Sequence, residues 1–427
     1  MIEKKKRVVI TGMGIISPIG NNLQEFWENL KNGKSGVAPI TRIKKDTHIT
    51  KYAAEVKNFD TIHNLSIKEQ RRLDLFSQYS LAASRQAIQH ANITTTSVDP
   101  DRIGIVLGIG IGGFSTIEES YIKYLPSLTL AHESTDPKTV NISPFTIPKL
   151  IANIASSNIA IDMVFKGPCY ALATACASGT DAIGNAMEHI RTDKADIIIA
   201  GGAEAPITHL AVAGFNALHA LSTKFSDNPT IASRPFDKDR DGFVIGEGAG
   251  ILVLESYEHA KGRNAPIIAE VLGAGMTCDA YHQTAPHPEG EGATRSMQLA
   301  LSHSDIPPSD IDYINAHGTS TPLNDIVETK TIKTVFGAYA HKDLKISSSK
   351  SMTGHCIGAA GGIEAIVCAL CIQNNFIPPT INLDNPDDQC DLNYIPNKGV
   401  HQNVQTTLSN TFGFGGHNGT LILRTPT

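Results

Sequence analysis

The stretch Ala173-Thr174-Ala175-Cys176-Ala177-Ser178-Gly179 places a cysteine among small residues. The turn signal Gly167-Pro168 precedes it, and apolar residues follow at helical spacing: Ala182, Ile183, Ala186, Met187 and Ile190. Cys176 therefore falls near the first turn of an amphipathic helix, where free backbone N–H groups and the helix dipole favour a thiolate and can hold an oxyanion. The stretch predicts a nucleophile; the alternative is a small buried cysteine, which most free cysteines are.

A second stretch repeats this order of strand, turn and small-residue helix. Residues 347–355 precede a Gly- and Ala-rich helix start, whose apolar face continues through residues 363–372. The strand predicted over residues 267–272, with Gly273-Ala274-Gly275, likewise echoes residues 8–14. This faint duplication, with apolar strands alternating with helices, predicts a layered α/β fold with sheets covered on both faces.

A composition break at residues 262–266 divides the chain into two predicted halves. Residues 1–262 carry Cys176, and residues 263–427 carry His317 and His355. At 427 residues the chain is long enough for a duplicated α/β unit with a large core.

Charge and hydropathy exclude several classes of partner. The net charge is -6, from 36 Lys and Arg against 42 Asp and Glu, so no global basic field attracts nucleic acid or an anionic membrane. Residues 4–20 imitate a signal peptide, but three glycines and Pro18 favour a strand over residues 8–11 that runs into a Gly-rich turn. No apolar run reaches the ~18 residues of a membrane span.

Cysteine and glycine spacing predict neither a metal site nor a bound nucleotide. Seven cysteines without framework spacing indicate reduced thiols in the cytoplasm. Cys368 and Cys371 share an apolar helical face and lack a second pair, so core packing is the better interpretation. The Gly12-Met13-Gly14 turn lacks the third glycine of a dinucleotide site, and residues 108–113 lack the Gly-Lys-Ser/Thr of a phosphate loop.

Two charged segments stand out. A helix predicted over residues 66–91 places Lys68, Arg71 and Arg72 on one face, which in isolation is a solvated basic face. Residues 233–250 mix arginines with acidic residues and glycines, which predicts a polar network that braces a loop. A metal site there is the weaker alternative, because the segment has no histidine.

Four residues form a set of nucleophile, base and electrostatic groups: Cys176, two histidines at strand-to-loop ends, and Lys350. Lys350 lies five residues before the second histidine. The motifs Ala-Thr-Ala-Cys176, Ala-His317-Gly-Thr-Ser-Thr, Lys350-Ser-Met-Thr-Gly-His355 and Gly-Phe414-Gly-Gly together resemble the β-ketoacyl-acyl carrier protein synthases. These are condensing enzymes of the thiolase superfamily, and the similarity is greatest to synthase II. It extends over essentially the entire chain.

The resemblance implies a thiolase fold with duplicated α-β-α-β-α layers, and a homodimer. It makes Cys176 the nucleophile that takes an acyl chain from the phosphopantetheine of an acyl carrier protein. Malonyl-carrier protein then loses carbon dioxide, and neutral His317 and His355 donate hydrogen bonds to the enolate oxygen. The product is two carbons longer. Because phosphopantetheine arrives on the carrier protein, no resident cofactor is implied.

Further roles are implied by the resemblance position by position. The backbone N–H groups of Cys176 and Phe414 correspond to the oxyanion hole, with Phe414 also an acyl gate, and Lys350 corresponds to a lysine that pairs with Glu328. The remaining assignments are pantetheine binding by Thr319 and Thr321, acyl-pocket positions at Ile111 and Phe215, and carrier-protein docking by Lys68, Arg71 and Arg72.

One departure from the family is Thr146, which comes after Ser143-Pro144-Phe145 where a second aromatic usually closes the neighbouring subunit's acyl pocket. An altered, longer acyl pocket is the resulting hypothesis.

Three other functions compete with this interpretation of the chain. A thiolase proper would need a second cysteine in the loop Asn410-Thr411-Phe412-Gly413, and a non-catalytic chain-length factor would lack Cys176. A polyketide-type or other specialised ketosynthase stays open, because it shares every catalytic residue.

Overall fold

The computed structural model describes residues 6–59, 65–94, 98–131 and 142–426. Its strands there are β1 (Val8–Ile16), β2 (Ala38–Pro39), β3 (Tyr52–Ala53), β4 (Ile103–Gly108), β5 (Cys169–Leu172), β6 (Ile197–Glu204), β7 (Gly248–Ser256), β8 (Ala269–Cys278), β9 (Tyr313–Asn315), β10 (Lys345–Ser347), β11 (Phe376–Ile377), β12 (Val400–His401), β13 (Thr406–Gly413) and β14 (His417–Arg424). Its helices are α1 (Leu23–Lys31), α2 (Ile67–Arg72), α3 (Leu75–His90), α4 (Phe114–Ala131), α5 (Thr146–Leu150), α6 (Ile154–Met163), α7 (Ser178–Arg191), α8 (His209–Ala217), α9 (Tyr257–Gly262), α10 (Glu291–Ser304), α11 (Pro322–Phe336), α12 (Lys350–Thr353) and α13 (Ala360–Asn374).

Ten strands form one sheet in the order β10-β9-β13-β14-β8-β1-β7-β6-β4-β5. Its two halves meet where β1 pairs with β8, at Val9 with Glu270 and Ile10 with Ala269. Outward from this join the strand order repeats, β1-β7-β6-β4-β5 on one side and β8-β14-β13-β9-β10 on the other. The predicted duplication is therefore confirmed. The division at residue 262 stays a prediction; it lies at the end of α9, before β8.

Helices α7 and α13 form the middle layer of the fold. Helix α7 contacts β6, β4, β8 and β14, and α13 contacts β7, β6 and β13, so each touches strands from both halves. The two helices approach closely because small residues line their contact: a Cβ on Gly179 would lie 2.8 Å from the Gly362 backbone nitrogen. Helices α3 and α10 cover the outer faces of the two half-sheets, which gives the predicted α-β-α-β-α layers.

Helix α13 is unusually apolar, and its position inside the protein accounts for this composition. Within the described residues, the segment Ile357–Asn374 is the one stretch long and apolar enough to cross a membrane, and 89% of it is buried inside the protein. A helix surrounded by protein on all sides is apolar all round. The segment is therefore a core helix, and its single carboxylate, Glu364, lies inside the protein.

Strand β1 is longer than the sequence predicted. The expected turn at Gly12-Met13-Gly14 is wrong, because the strand continues to Ile16. The two glycines allow α3 to lie directly on the strand: a Cβ on Gly12 would come within 2.2 Å of the Ala87 carbonyl oxygen. In the second half, Gly275 meets α10 in the same way, 1.9 Å from the Ser296 carbonyl oxygen.

The helix predicted over residues 66–91 is two helices, α2 and α3. Helix α2 begins with a capping box, in which Ser66 and Glu69 each accept from the other's backbone N–H. It ends at Arg72, with Leu73 as its C-cap, and Asp74 starts α3 by accepting from the Phe76 N–H. The Asp74 carboxylate also accepts from the N–H and hydroxyl of Thr116. These bonds fix Asp74 as a cap in place of a helical residue.

Candidate active site

Cys176 lies in a 3₁₀ turn, Ala175–Ala177, between β5 and α7. Ala175 has φ 50°, a left-handed conformation that is strained for a residue with a Cβ and is kept only where surrounding contacts impose it. The Ser178 hydroxyl supplies two such contacts, since it accepts from the Thr174 N–H at 2.9 Å and donates to the Ala175 carbonyl at 2.6 Å. The thiol consequently faces a cavity, with the residue 8% exposed.

The protonation state of the free thiol differs from the prediction. Burial raises the pKa of Cys176 to about 12, although the charge of Lys350 and the N–H of Phe414 act in the opposite direction. The predicted thiolate is therefore wrong for the free enzyme, because desolvation of the charged form outweighs the favourable groups. Reaction at Cys176 requires a group that takes its proton.

His355 is the group in place to do so. Its Nε2 lies 3.0 Å from Cys176 Sγ. His317 comes after β9, and its ring centroid is 5.3 Å from that of His355. Burial, followed by the charge of Lys350, holds the pKa of both histidines well below the usual range. Both rings are therefore neutral, as the predicted hydrogen-bond donors must be.

Lys350 begins α12 and is 1% exposed. Its ammonium pairs with the buried carboxylate of Glu364 in α13, not with Glu328 as predicted. Glu328 instead accepts from the backbone N–H groups of His317 and Gly318, each at 2.8 Å, and so anchors the histidine loop. Burial raises the pKa of both Glu328 and Glu364 to about 7. A signal for Glu364 exists in the sequence, where it is the one acidic residue in the apolar run 357–372.

Phe414 lies in the tight turn that joins β13 to β14. Its backbone N–H is directed at Cys176. Gly413 brings this strand against the nucleophile turn: a Cβ there would be 2.9 Å from the Cys176 backbone nitrogen. The predicted pair of N–H groups, from Cys176 and Phe414, is thus brought together by two separate elements. Phe414 lines the same cavity.

That cavity has a volume of about 470 Å³ and also contains His317 and His355. Four of its other lining residues were predicted from the sequence: Ile111, Phe215, Thr319 and Thr321. The hydroxyls of Thr319 and Thr321 lie 2.9 Å apart. The lining is mainly apolar, with few polar groups, which is typical of a pocket that takes an acyl chain and fixes its polar end.

The remaining predicted residues lie outside this cavity. Thr146 begins α5 and lines a second pocket of about 200 Å³ together with Arg71, Lys123 and Lys149. Lys68, Arg71 and Arg72 are exposed on α2. The Arg72 guanidinium lies 5.2 Å from the ring centroid of Phe145. Within one chain, the structure therefore does not bring Thr146 to the nucleophile.

A buried carboxylate beside the site that the sequence analysis missed is Glu204, at the end of β6. It is fully buried and accepts backbone N–H bonds from Gly110 at 2.7 Å, Ile111 at 3.1 Å, Gly112 at 3.0 Å and Gly358 at 3.3 Å. It thereby joins the loop that carries Ile111 to the turn that precedes α13. Its signal is a lone acidic residue at the end of the apolar run 197–203.

In the described part of the chain, no group of three or more His, Cys, Asp and Glu side chains is arranged to hold a metal ion. The charged segment 233–250 forms a network of ion pairs instead, including Arg234 with Asp237 and Arg240 with Asp387.

A duplicated, layered fold whose middle-layer helix start holds a cysteine beside two neutral histidines defines a thiolase-fold enzyme of the acyl-condensing class. Residues 5–260 match the family model described as "Beta-ketoacyl synthase, N-terminal domain", and residues 268–384 match "Beta-ketoacyl synthase, C-terminal domain". The chain belongs to the beta-ketoacyl synthase family.

Curated relatives and solved structures agree with this placement. The chain is 48% identical to 3-oxoacyl-[acyl-carrier-protein] synthase 2 of Synechocystis sp., over 99% of this chain and 98% of that protein. It is 48% identical to the protein of that name from Coxiella burnetii, over 98% and 99% of the two chains. A ketosynthase solved with its type II PKS acyl-carrier protein and bound to the hexaketide has a TM-score of 0.91 and 37% identity, covering 99% of this chain and 100% of that one.

Proposed function

We propose that the protein is a 3-oxoacyl-[acyl-carrier-protein] synthase that elongates fatty acyl chains by two carbons. The observation that carries this proposal is the 3.0 Å contact between Cys176 Sγ and His355 Nε2 in a cavity that also holds His317 and the N–H of Phe414. No resident cofactor is proposed, because the phosphopantetheine arm belongs to the carrier protein.

In the first half-reaction, Cys176 attacks the thioester of an acyl-carrier protein. A new C–S bond forms to Cys176, the C–S bond to pantetheine breaks, and the thiol proton passes through His355 to the departing pantetheine sulfur. The N–H groups of Cys176 and Phe414 hold the oxyanion of the tetrahedral intermediate. Donors of this kind are each worth on the order of 10²–10³ in rate.

In the second half-reaction, malonyl-carrier protein enters and its C–CO₂ bond breaks. The electron pair moves into an enolate whose oxygen accepts from His317 and from His355, the latter now in the tautomer that carries its proton on Nε2. The enolate carbon then attacks the Cys176 thioester: a C–C bond forms, the C–S bond to Cys176 breaks, and the departing Cys176 sulfur takes a proton from water. Neutral histidines suit this step, since their hydrogen bonds strengthen as charge develops on the oxygen.

Intact mass spectrometry tests the proposal. Wild type and Cys176→Ala are incubated with acyl-carrier proteins of several chain lengths, and malonyl-carrier protein is then added. We expect an acyl adduct on the wild type alone, and then release of a product two carbons longer. The absence of an adduct at every chain length, or an equal adduct on Cys176→Ala, would contradict the proposal.

A polyketide-type ketosynthase is the second candidate, and the structural likeness to the hexaketide-bound ketosynthase favours it. The two candidates differ in their behaviour after the first condensation. With excess malonyl-carrier protein and no reductase, a fatty-acid synthase should stop after one two-carbon extension. A polyketide enzyme should add several more, which the product masses reveal.

We propose that the carrier protein docks on α2 through Lys68, Arg71 and Arg72. These side chains are exposed on a short helix. Reversal of charge in Arg71→Glu should raise KM for acyl-carrier protein about tenfold and leave KM for a free acyl-pantetheine thioester unchanged. Lys398→Glu, at another exposed lysine, is the matched control.

A homodimer through β5 and the helices beside it is also proposed. Strand β5 ends the ten-stranded sheet, with β4 as its neighbour. Exposed apolar side chains lie on α5, α6 and the residue after α6: Ile147 at 62%, Ile161 at 74% and Val164 at 59% exposure. A patch of this kind marks an interface. Sedimentation equilibrium should give a dimer for wild type and a shift toward monomer for Ile161→Asp.

The dimer gives Thr146 a role in the acyl pocket of the partner subunit. If Thr146 leaves that pocket longer, Thr146→Phe should shorten the preferred acyl chain. An unchanged distribution of product lengths would reject this idea.

All seven cysteines are free in the structure, which supports a reducing, cytoplasmic location.

A further inference from the structure

We propose that Arg240 is a positioning residue that fixes Thr319 and Thr321 in the geometry that binds the pantetheine arm. The proposal rests on the proposed function, because that function makes pantetheine the ligand of the two threonines. Arg240 does not touch the cavity. It acts from behind, on the backbone of the turn that carries both hydroxyls.

The turn is strained and needs external restraint. Ser320, between the two threonines, has φ 71°, a left-handed conformation that a residue with a Cβ rarely adopts. The Ser320 hydroxyl accepts from the Arg234 N–H at 3.1 Å, and its carbonyl accepts from the Gly242 N–H at 3.1 Å. Strain of this size, about 1–3 kcal/mol, persists only where several contacts determine the conformation.

The Arg240 side chain supplies the restraint at the C-terminal side of the turn. Its Nε donates to the Thr321 carbonyl at 3.2 Å, and its Nη2 donates to the Pro322 carbonyl at 3.1 Å. Its Nη1 donates to Asp387 Oδ2 at 2.8 Å, and Asp325 Oδ2 lies 3.5 Å from Nε. The guanidinium is therefore held by two carboxylates and by the Asp237 carbonyl, which accepts from Nη1 at 2.7 Å, while it donates to two consecutive carbonyls of the turn.

Only an arginine fits these partners. The side chain is 2% exposed, so each donor needs a partner inside the protein. A lysine ammonium presents its three donors from one point and cannot reach both carbonyls and the carboxylates. Replacement of Arg240 leaves the Thr321 and Pro322 carbonyls without their donors, and the strained turn is then free to relax.

Relaxation should affect substrate binding more than chemistry. The hydroxyls of Thr319 and Thr321, 2.9 Å apart, are polar groups in a mainly apolar cavity. Displacement of a positioning group by about 1 Å can lower the reaction rate by up to about 10²-fold. Cys176, His317 and His355 are held by other elements, since Glu328 and not Arg240 anchors the His317 loop.

Arg234 offers a matched control in the same segment. Its guanidinium is also buried and pairs with Asp237, at 2.9 Å, and it lies 5.2 Å from the Phe225 ring centroid. It contacts Ser320 through its backbone N–H, which a side-chain substitution keeps. Arg234→Lys therefore disturbs a buried arginine without releasing the carbonyls of the turn.

The experiment compares full-length wild type, Arg240→Lys, Arg234→Lys and Asp387→Asn. Acylation of Cys176 by an acyl-pantetheine thioester gives KM and kcat, and alkylation by iodoacetamide reports the thiol without a pantetheine arm. We expect Arg240→Lys to raise KM about tenfold, with kcat and the alkylation rate within twofold. Arg234→Lys should stay within twofold throughout. Asp387→Asn keeps the guanidinium but weakens its anchor, and should raise KM about threefold.

Equal effects of Arg240→Lys and Arg234→Lys on KM would overturn the inference, as would a fall in kcat and alkylation with KM unchanged. If Arg240→Lys does not fold, Asp387→Asn decides: an unchanged KM rejects the positioning role. Failure of the proposed function is distinguishable, because wild type itself would then show no acylation by the thioester while iodoacetamide still alkylates Cys176.

Discussion

The two middle-layer helices, α7 and α13, begin with the same backbone conformation but carry different side chains at the matching position. Before α7, a residue with left-handed φ, Ala175 at 50°, opens a 3₁₀ turn. Before α13, Ile357 at 48° opens the 3₁₀ turn Ile357–Ala359. The second position of the first turn is Cys176, and that of the second turn is Gly358. Both halves therefore share one backbone conformation at this position, and only the first half carries a thiol there, that of Cys176.

The second turn is also closed from within. Gly358 donates its N–H to the Glu204 carboxylate, so the protein's own anion binds at this helix start. At the first turn the corresponding space is open cavity. Helix starts attract anions in both halves. The comparison shows that the Glu204 carboxyl group fills the position at the start of the second helix, whereas the matching position at the first helix is open.

The largest expected effect comes from making the first turn like the second. Cys176→Gly should reduce acyl transfer by about 10³-fold or more, because no other thiol lies at this position. Transfer is measured as the acyl adduct by intact mass, with circular dichroism as the test of folding. Retention of transfer within tenfold of wild type, in a folded variant, would show that the nucleophile lies elsewhere.

The buried carboxyl group of Glu204 should give the stability a pH dependence. Burial raises the pKa of Glu204 from 4.5 to about 7, so the native state keeps this proton over a range in which the unfolded state loses it. Its contribution to stability is fully present below pH 4.5 and is lost as pH rises to 7, a change of about 3 kcal/mol. Glu204→Gln should remove that part of the slope.

Glu328 and Glu364 titrate over the same range, since burial raises the pKa of each to about 7. The difference between the urea-unfolding free energies of wild type and Glu204→Gln, measured at pH 5 and pH 7.5, therefore isolates Glu204. If the difference between the two unfolding free energies is the same at pH 5 and pH 7.5, the pKa of Glu204 does not change on folding.

A side chain at the second turn should be poorly tolerated. A Cβ on Gly358 would lie 2.4 Å from the Gly110 backbone nitrogen and 2.8 Å from Glu204 Oε2. Gly358→Ala should therefore lower the free energy of unfolding by about 1–3 kcal/mol, through overpacking and a displaced carboxylate. Gly214→Ala is the control, because nothing lies within 4 Å of a Cβ there. It should stabilise α8 by about 0.5–1 kcal/mol. Equal losses in the two variants would refute this account of the second turn.

The sequence predicted the layers, the duplication and the candidate catalytic set, because periodicity and local motifs carry that information. The prediction that Lys350 pairs with Glu328 is wrong, because the choice between Glu328 and Glu364 depends on the packing of α13, which no local motif shows. The predicted ionisation of Cys176 is also wrong. A motif shows the favourable helix start, but only the packed structure shows how completely the thiol is desolvated.

The smallest effect tests the strain that the two turns share. Ala175→Gly should raise the free energy of unfolding by about 0.5–1 kcal/mol, because glycine adopts a φ of 50° without a Cβ clash. Ala177→Gly is the control two residues away: its φ is -82°, so glycine there relieves no strain and should cost about 0.4–1 kcal/mol through the greater freedom of the unfolded chain. Urea unfolding of both variants gives the two signs. If both substitutions destabilise the protein alike, the left-handed residue before Cys176 stores no strain, and its geometry serves only to direct the thiol into the cavity.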